Sequence, residues 1–486
     1  MKSKRCVVIG AGPAGLTAAH ELSKLGAHPV VLEQDKMVGG IARTVQHRGY
    51  RFDIGGHRFF SKVEFINSWW QSILGDDLLA RSRLSRIYYE GAFFDYPLRP
   101  INALWKLGPV ETLRIAASYI HAQVFPSPES SFEGWMCNRF GRRLFEIFFA
   151  AYTEKVWGMK CSDISADWAS QRIKNLDLWA ALKSAFLGNS SGQITTLIKE
   201  FRYPRLGPGM MWERVAQILV GRGVPLYLGQ KVTKMHVVSG RIAAVTIIDM
   251  SGKESTIAGD NFVSSMPLKD LIAAITPAPP RDVVEASRQL RYRDFITIGL
   301  IVNKRDVFND NWVYVHAPHV RVGRIQNFKN WSAEMVPDSS KTSLAFEYFV
   351  QEGDDLWNAT DQSLIELATQ ECVQLGFIEM RDVIDGIVIR VPKAYPVYDR
   401  EFKRNLARIR EYLRTFPNLQ VIGRNGQHRY NNQDHSMLTG IYAARNICGS
   451  DFDVWGVNLE PKYSESLRNN SSRISDRLFP EEISPA

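Results

Sequence analysis

Three glycines, Gly10, Gly12 and Gly15, follow the apolar run Cys6-Val7-Val8-Ile9. That spacing serves phosphate binding. Gly10 permits a tight turn, Gly12 lets the main chain approach an anion with no Cβ in the way, and Gly15 lets the next helix pack close to the strand. The unpaired N–H groups at the start of that helix then face a pyrophosphate. A second apolar run, Pro29-Val30-Val31-Leu32, ends at Glu33, eighteen residues past Gly15, where a carboxylate can accept hydrogen bonds from a ribose. A glycine-rich turn has other uses, with Glu33 merely solvated. Strand, glycines, helix, strand and acid in that order point to a bound dinucleotide.

Two more glycine pairs follow, in Val38-Gly39-Gly40-Ile41-Ala42-Arg43-Thr44 and in Phe52-Asp53-Ile54-Gly55-Gly56-His57. A simple nicotinamide dehydrogenase turns into another helix here, so a longer cofactor is expected, running along the backbone past its pyrophosphate. A Gly-Gly pair with a basic residue three positions later resembles the FAD-binding half of the amine-oxidase-type flavoproteins. The resemblance implies FAD.

Positioning these residues requires an α/β fold: a Rossmann-type FAD-binding domain with an inserted helical domain and a second, antiparallel-sheet domain. The nucleotide-binding sheet is expected from three separate stretches, residues 1–60, 203–267 and 415–450. In the second, 231–249 alternates and turns at Ser239-Gly240 like a hairpin, then returns through Asn261–Pro267. The third runs from Leu419 to Arg424 and into a helix after Asp434. Residues 61–202 form the expected helical substrate domain, with a capping box at Ser130 and Glu133. Phe145, Phe148, Phe149 and Tyr152 fall on one face of a helix, which marks core. The expected antiparallel domain is 268–414, with strands at 295–302, 312–315 and 343–350 and a helix near 361–376. Residues 451–486 are a C-terminal extension, loose from about Asn469.

The chain of 486 residues is 45% hydrophobic and 23% charged, which suits a globular protein with ample core. No apolar run reaches eighteen residues, so no spanning helix is expected, and the apolar N-terminal run is a Rossmann strand rather than a signal peptide. The five cysteines lie far apart, without metal-pair or disulfide-framework spacing, and no histidine pair has metal spacing. A reducing cytoplasm and no metal are expected. The net charge of +9 is dispersed along the chain, which argues against nucleic acid and for a small anionic ligand in a cleft.

An ordered set of blocks then resembles the UDP-galactopyranose mutases, especially the longer members. It comprises Asp53–Ser61, Asp95-Tyr96-Pro97, Tyr152–Trp157, Phe201–Pro204, Trp312-Val313-Tyr314, Arg324–Lys329, Ala394-Tyr395-Pro396 and Arg429–Ser436. The set covers the chain from Cys6 to about Cys448. It implies an isomerase of cell-surface polysaccharide biosynthesis that interconverts pyranose and furanose forms of a nucleoside-diphosphate sugar. The reduced flavin's N5 attacks the anomeric carbon, the diphosphate leaves, and the sugar recloses from an N5 adduct with no net redox change. Arg172 and Arg324 match the two arginines that hold the diphosphate, and guanidinium forks suit that task. His57 matches the histidine beside the flavin ring. Tyr96, Tyr152, Trp157, Tyr314, Tyr395 and Tyr430 match substrate-binding aromatics. For FAD the resemblance implies Gly10, Gly12, Gly15, Glu33, Gly39, Gly40, Arg43 and Gly56. It adds the backbone of Val232, and Arg424, Asn432, Gln433 and Ser436 near a C-terminal helix start.

Departures fall on the base pocket. Leu98 and Arg99 stand where the longer relatives carry an aromatic and a glutamine around uracil, and Thr153 replaces an asparagine. The loop Gly207–Trp212 has fewer glycines than theirs. Base and sugar are therefore left open, as are a homo-oligomer and NAD(P)H as an external reductant. The competing expectation is an FAD-dependent oxidoreductase resembling protoporphyrinogen oxidase, the amine oxidases or the carotenoid desaturases, since one scaffold hosts both chemistries.

Overall fold

The computed structural model describes residues 4–96, 98, 100–164, 166 and 199–458. Arg99, Arg172 and the extension from residue 459 onward lie outside the described residues. The fold is the expected α/β arrangement. Strands too apolar to face water on either side are collected into a five-stranded parallel sheet, ordered Leu419–Val421, Asn261–Ser264, Arg5–Ile9 (β1), His28–Leu32 (β2) and Leu226–Tyr227. The helices Pro13–Lys24 (α1) and Gln433–Ile447 pack against each other so closely that a Cβ on Gly440 would stand 2.4 Å from the Ala14 carbonyl oxygen.

The 231–249 hairpin, expected within that sheet, stands apart from it. Lys231–Val238 and Arg241–Ile248 belong to a four-stranded sheet with Glu254–Ala258 and Ile275–Thr276. Its alternation explains the separation. Val232, Met235, Ile242 and Val245 bury one face and the other stays wet, whereas Phe262 and Val263, with no exposure, suit a strand covered on both sides.

A seven-stranded sheet forms the second half of the fold. Its order is Val383–Pro396, Tyr292–Val302, Thr342–Val350, Arg324–Asn327, Trp312–Val315, Ser85–Tyr89 and Ala92–Asp95. The last two strands come from the stretch expected to be helical, and Leu78–Ser82 pairs with Glu200–Pro204 as a further two-stranded sheet. Ser85–Tyr89 carries a β-branched and two aromatic residues, Ile87, Tyr88 and Tyr89, types that favour strands. Glu90 and Gly91, with φ of 48° and 76°, make the two-residue turn that favours a hairpin.

Three local expectations shift. The cap of the helix Phe132–Phe140 is Ser131, not Ser130: its hydroxyl accepts the Gly134 N–H at 3.2 Å. A single π-type turn at Glu146–Ala150 rotates the face that carries the aromatic stripe. Phe145 and Phe148 are core as expected, while Tyr152 is only half-buried. The expected loop 207–212 is instead the opening of the helix Gly209–Gly221, pinned by fully buried Met211 and Trp212. The Trp212 indole donates to Gln433 Oε1 at 2.9 Å and meets Trp70 edge-on at 5.9 Å.

No helix among the described residues is long and apolar enough to cross a membrane. All five cysteines are free thiols, and no metal-binding cluster occurs among the described residues.

Candidate functional site

The dinucleotide end is built from main chain. A Cβ on Gly15 would lie 1.9 Å from the Gly10 carbonyl oxygen, and Gly10 itself has φ of 100°. Gly39, at φ of 98°, donates its N–H to the Ala11 carbonyl at 2.8 Å. A Cβ on Gly12 would approach the Gly40 Cα at 3.8 Å, so the two glycine turns face each other across a narrow gap. The α1 N-cap is Gly12, with no side chain capping the first-turn N–H groups. Glu33 closes the far side. One carboxylate oxygen accepts from the Ala11 N–H at 2.7 Å and the other from the Asp35 N–H at 2.9 Å. Burial pushes its pKa up, and those two N–H groups oppose the shift. The Gln230 N–H reaches the Glu33 carbonyl at 2.7 Å, which brings the strand containing Val232 beside the acid.

Arg43 pairs with Asp35 through Nη1, and its Nε is shielded from solvent without a partner. Gln433, at the first turn of the C-terminal helix, likewise has a shielded Nε2 without an acceptor. Asn432 is its N-cap, and Ser436 is buried one turn on. Uncapped helix N–H groups, facing glycine turns and unfilled donors form a surface suited to an extended anionic cofactor.

The inner cleft is built from long side chains. A Cβ on Gly55 would lie 3.7 Å from both Arg324 Nη2 and His57 Cε1 and 3.8 Å from Glu347 Oε1, so these groups converge on the second glycine pair. Gly56 is tighter still: a Cβ there would lie 3.0 Å from Gln326 Nε2. Arg324 Nε and Nη2 each lie 2.5 Å from Glu347 Oε2, and Gln326 Nε2 donates to Glu347 Oε1 at 2.7 Å. Burial works against the Arg324 charge, and the Glu347 carboxylate overrides it, raising the guanidinium pKa further. His57 is held neutral: burial, then the charges of Arg424 and Arg324, take its pKa down to about 3.

Aromatic rings line this charge. Tyr314 lies 4.7 Å from Tyr96 and 5.6 Å, edge-on, from Tyr152, which stacks on His316 at 4.8 Å. Tyr395 and Tyr430 stack at 5.7 Å, with the Arg424 guanidinium 4.4 Å from the Tyr430 ring centroid and 5.5 Å from that of Tyr395. Burial pushes the Tyr152 and Tyr395 phenols up, so both remain proton donors at neutral pH.

Two further expected site residues are buried. Trp157 is buried against Met159, Ile164, Val397 and Tyr398, as part of the apolar core of the helical region. Thr153, one turn earlier, is also buried.

Three cleft residues carry no expectation from the sequence: Glu347, Arg58 and Arg83. Glu347 left a signal. It stands inside Ser343-Leu-Ala-Phe-Glu-Tyr-Phe-Val350, where a strand buried on both faces holds an acid only if that acid is paired. Arg58 and Arg83 left none, because a single arginine outside a recognised motif reads as surface.

Residues 8–73 match the model of an NAD(P)-binding Rossmann-like domain. Over the whole chain, a crystal structure of reduced UDP-galactopyranose mutase superposes with a TM-score of 0.81, covering 94% of this chain and 98% of that one at 22% identity. The chain has the fold of a UDP-galactopyranose mutase. A putative protoporphyrinogen oxidase from Exiguobacterium sp. 255-15 superposes with a TM-score of 0.68 over 91% of this chain and 98% of that one, at 18% identity. The architecture is thus shared by flavoprotein mutases and oxidases. Among curated proteins, 49 residues are 51% identical to an inactive all-trans-retinol 13,14-reductase of Danio rerio, and 54 residues are 41% identical to a phytoene desaturase of Cercospora nicotianae. These matches span 10% and 11% of this chain but only 8% and 9% of those proteins. The resemblance read from the motifs therefore holds for the fold.

Proposed function

We propose that this protein is a flavin-dependent mutase interconverting the pyranose and furanose forms of a nucleoside-diphosphate sugar. FAD is the proposed cofactor, held by Gly10, Gly12, Gly15, Glu33, Gly39, Gly40, Arg43, Gly56 and the Val232 backbone from one side. Arg424, Asn432, Gln433 and Ser436 hold it from the other. When bound and reduced, it supplies a nucleophilic nitrogen and is regenerated unchanged.

The observation that carries the proposal is the fixed Arg324 guanidinium at the second glycine pair, ringed by Tyr152, Tyr314 and Tyr395. Glu347 and Gln326 lock its position, so no reorganisation is needed when a diphosphate leaves the anomeric carbon. Such a leaving group has to remain within reach to reattack, and a rigid cation with protonated phenols retains it. Arg172 is proposed as the second guanidinium. His57, kept neutral, packs beside the ring system and orients it without adding a competing charge. NAD(P)H as external reductant and a cytoplasmic location complete the reading.

The oxidoreductase reading draws on the short desaturase and reductase matches and on the oxidase structure that shares the fold. The cleft weighs against it, since an apolar substrate has no use for buried arginines. Incubation of dithionite-reduced protein with a panel of nucleoside-diphosphate hexoses separates the two. Isomeric product without stoichiometric flavin oxidation is expected, and product that requires oxygen or another acceptor would sink the mutase. Arg324→Ala is expected to retain the yellow cofactor and lose about 100-fold or more in turnover.

A further inference from the structure

Three arginines of the substrate half differ in what meets the Nε and Nη2 edge of the guanidinium, the edge that grips two oxygens at once. Arg86 places Nε 2.9 Å from Asp310 Oδ1 and Nη2 2.6 Å from Oδ2. Arg324 places the same two nitrogens against Glu347. In Arg83 both Nε and Nη2 are shielded from solvent and neither has an acceptor. A shielded, unfilled fork is costly, since each unmet donor forfeits its hydration.

The setting of Arg83 is that of a held side chain. Its guanidinium carbon lies 5.4 Å from the ring centroids of both Tyr96 and Trp312, and the Arg58 guanidinium carbon lies 5.6 Å from the same Trp312 ring. Two aromatic faces thus orient the fork while leaving its N–H edge unused. Tyr96 in turn contacts Tyr314, the neighbour of Tyr152, so Arg83 and Arg58 stand along one wall of the cleft that ends at Arg324. No carboxylate of the described chain fills the Arg83 fork.

We propose that Arg83, with Arg58 beside it, is an oxyanion subsite adjoining Arg324, taking two oxygens of one phosphate or carboxylate group of the bound ligand. This rests on the cleft's reading as a nucleoside-diphosphate-sugar site and adds to it. The bound molecule presents an anionic group to the Tyr96–Trp312 wall as well as to Arg324. The group is either the phosphate remote from the sugar or a carboxylate carried by the sugar itself.

The test is equilibrium binding to the oxidised holoenzyme, read by calorimetry, with inorganic pyrophosphate, UDP, UDP-glucose and UDP-glucuronate. Arg83→Gln and Arg83→Lys are compared with the parent; the lysine keeps charge and stem, removes the fork, and guards against failure to fold. A phosphate in the fork weakens pyrophosphate, UDP and UDP-glucose together by about tenfold or more in both variants. A carboxylate gives a parent preference for UDP-glucuronate over UDP-glucose that both variants lose. Unchanged affinity for every probe in both variants, or a parent holoenzyme that binds none of them, overturns the subsite. Absence of isomerisation alongside Arg83-dependent binding refutes the mutase and leaves the subsite standing.

Discussion

The two ends of this cleft are made of different materials. At the dinucleotide end the contacts are main-chain: glycine turns, a bare helix terminus and an acid tied to two backbone N–H groups. At the inner end they are long side chains from four separated stretches, Arg58 and Arg83, Tyr152, Arg324 with Glu347, and Tyr395 with Arg424 and Tyr430. A main-chain site tolerates no Cβ but is indifferent to most neighbouring side chains. A side-chain site tolerates backbone variation but depends on each charge being matched. The first kind suits a cofactor common to many reactions, and the second suits a substrate peculiar to one.

The largest expected effect breaks the main-chain end. Gly15→Ala puts a methyl 1.9 Å from a carbonyl oxygen that belongs to backbone and cannot swing away. The turn has to open, with a cost of about 3 kcal/mol and loss of the cradle. The variant is expected to purify colourless and to melt below the parent. Bound flavin at the parent stoichiometry would show that the glycine turn does not hold the cofactor.

That contrast also explains what was legible in the sequence. The glycine spacing and Glu33 constrain main chain over a few dozen residues, so pattern alone reveals them. The pairing of Arg324 with Glu347 depends on register between two strands, Arg324–Asn327 and Thr342–Val350, that no local pattern encodes. The strands at 85–95 pair with each other locally, but the sheet they join, through Trp312–Val315, lies more than two hundred residues away. The aromatic stripe misread Tyr152 for a different reason. It assumed an unbroken helical period, and the π-type turn at 146–150 shifts the face by about one residue. The fold class was readable because burial on both faces leaves a continuous apolar run at each parallel strand.

The next effect breaks the side-chain end. Glu347→Gln keeps the shape and an acceptor for Gln326 but removes the charge opposite Arg324. Glu347 has no side-chain exposure and Arg324 has 17%, so the orphaned guanidinium is only partly rehydrated. A loss of about 2 kcal/mol in stability is expected, discounted from the fully buried case for the exposure on the arginine side. Chemical denaturation of the holoenzyme measures it. Flavin content is expected to stay unchanged, which separates this lesion from Gly15→Ala; a colourless variant would show that the two ends are not independent.

A third effect, read only as a pH-dependent difference, tests the seam between the ends. Asp53 is fully enclosed, accepts from Thr44 Oγ1 at 2.7 Å and from the Tyr203 hydroxyl, and abuts Gly207, where a Cβ would come within 2.7 Å of its Oδ1. Thr44 in turn receives the Gly209 N–H at 3.0 Å, which moors the helix start at 209 to the hairpin beside the cofactor turns. Burial pushes the Asp53 pKa up to about 7, against the two hydrogen bonds that favour the charged form. The folded state therefore binds a proton that the unfolded chain has released. The contribution of Asp53 to stability falls as pH rises from about 4 to about 7, by at most about 1.4 kcal/mol per pH unit. Buried histidines run the other way. The pKa values of His20, His57, His316 and His428 are lowered by burial, so their contributions improve as pH climbs toward about 6.5. The raw pH profile of the parent mixes both signs, and only its difference from Asp53→Asn isolates the carboxyl. That variant is expected to melt higher relative to the parent at pH 7 than at pH 5, and a difference profile flat between those values would show that Asp53 is ionised throughout.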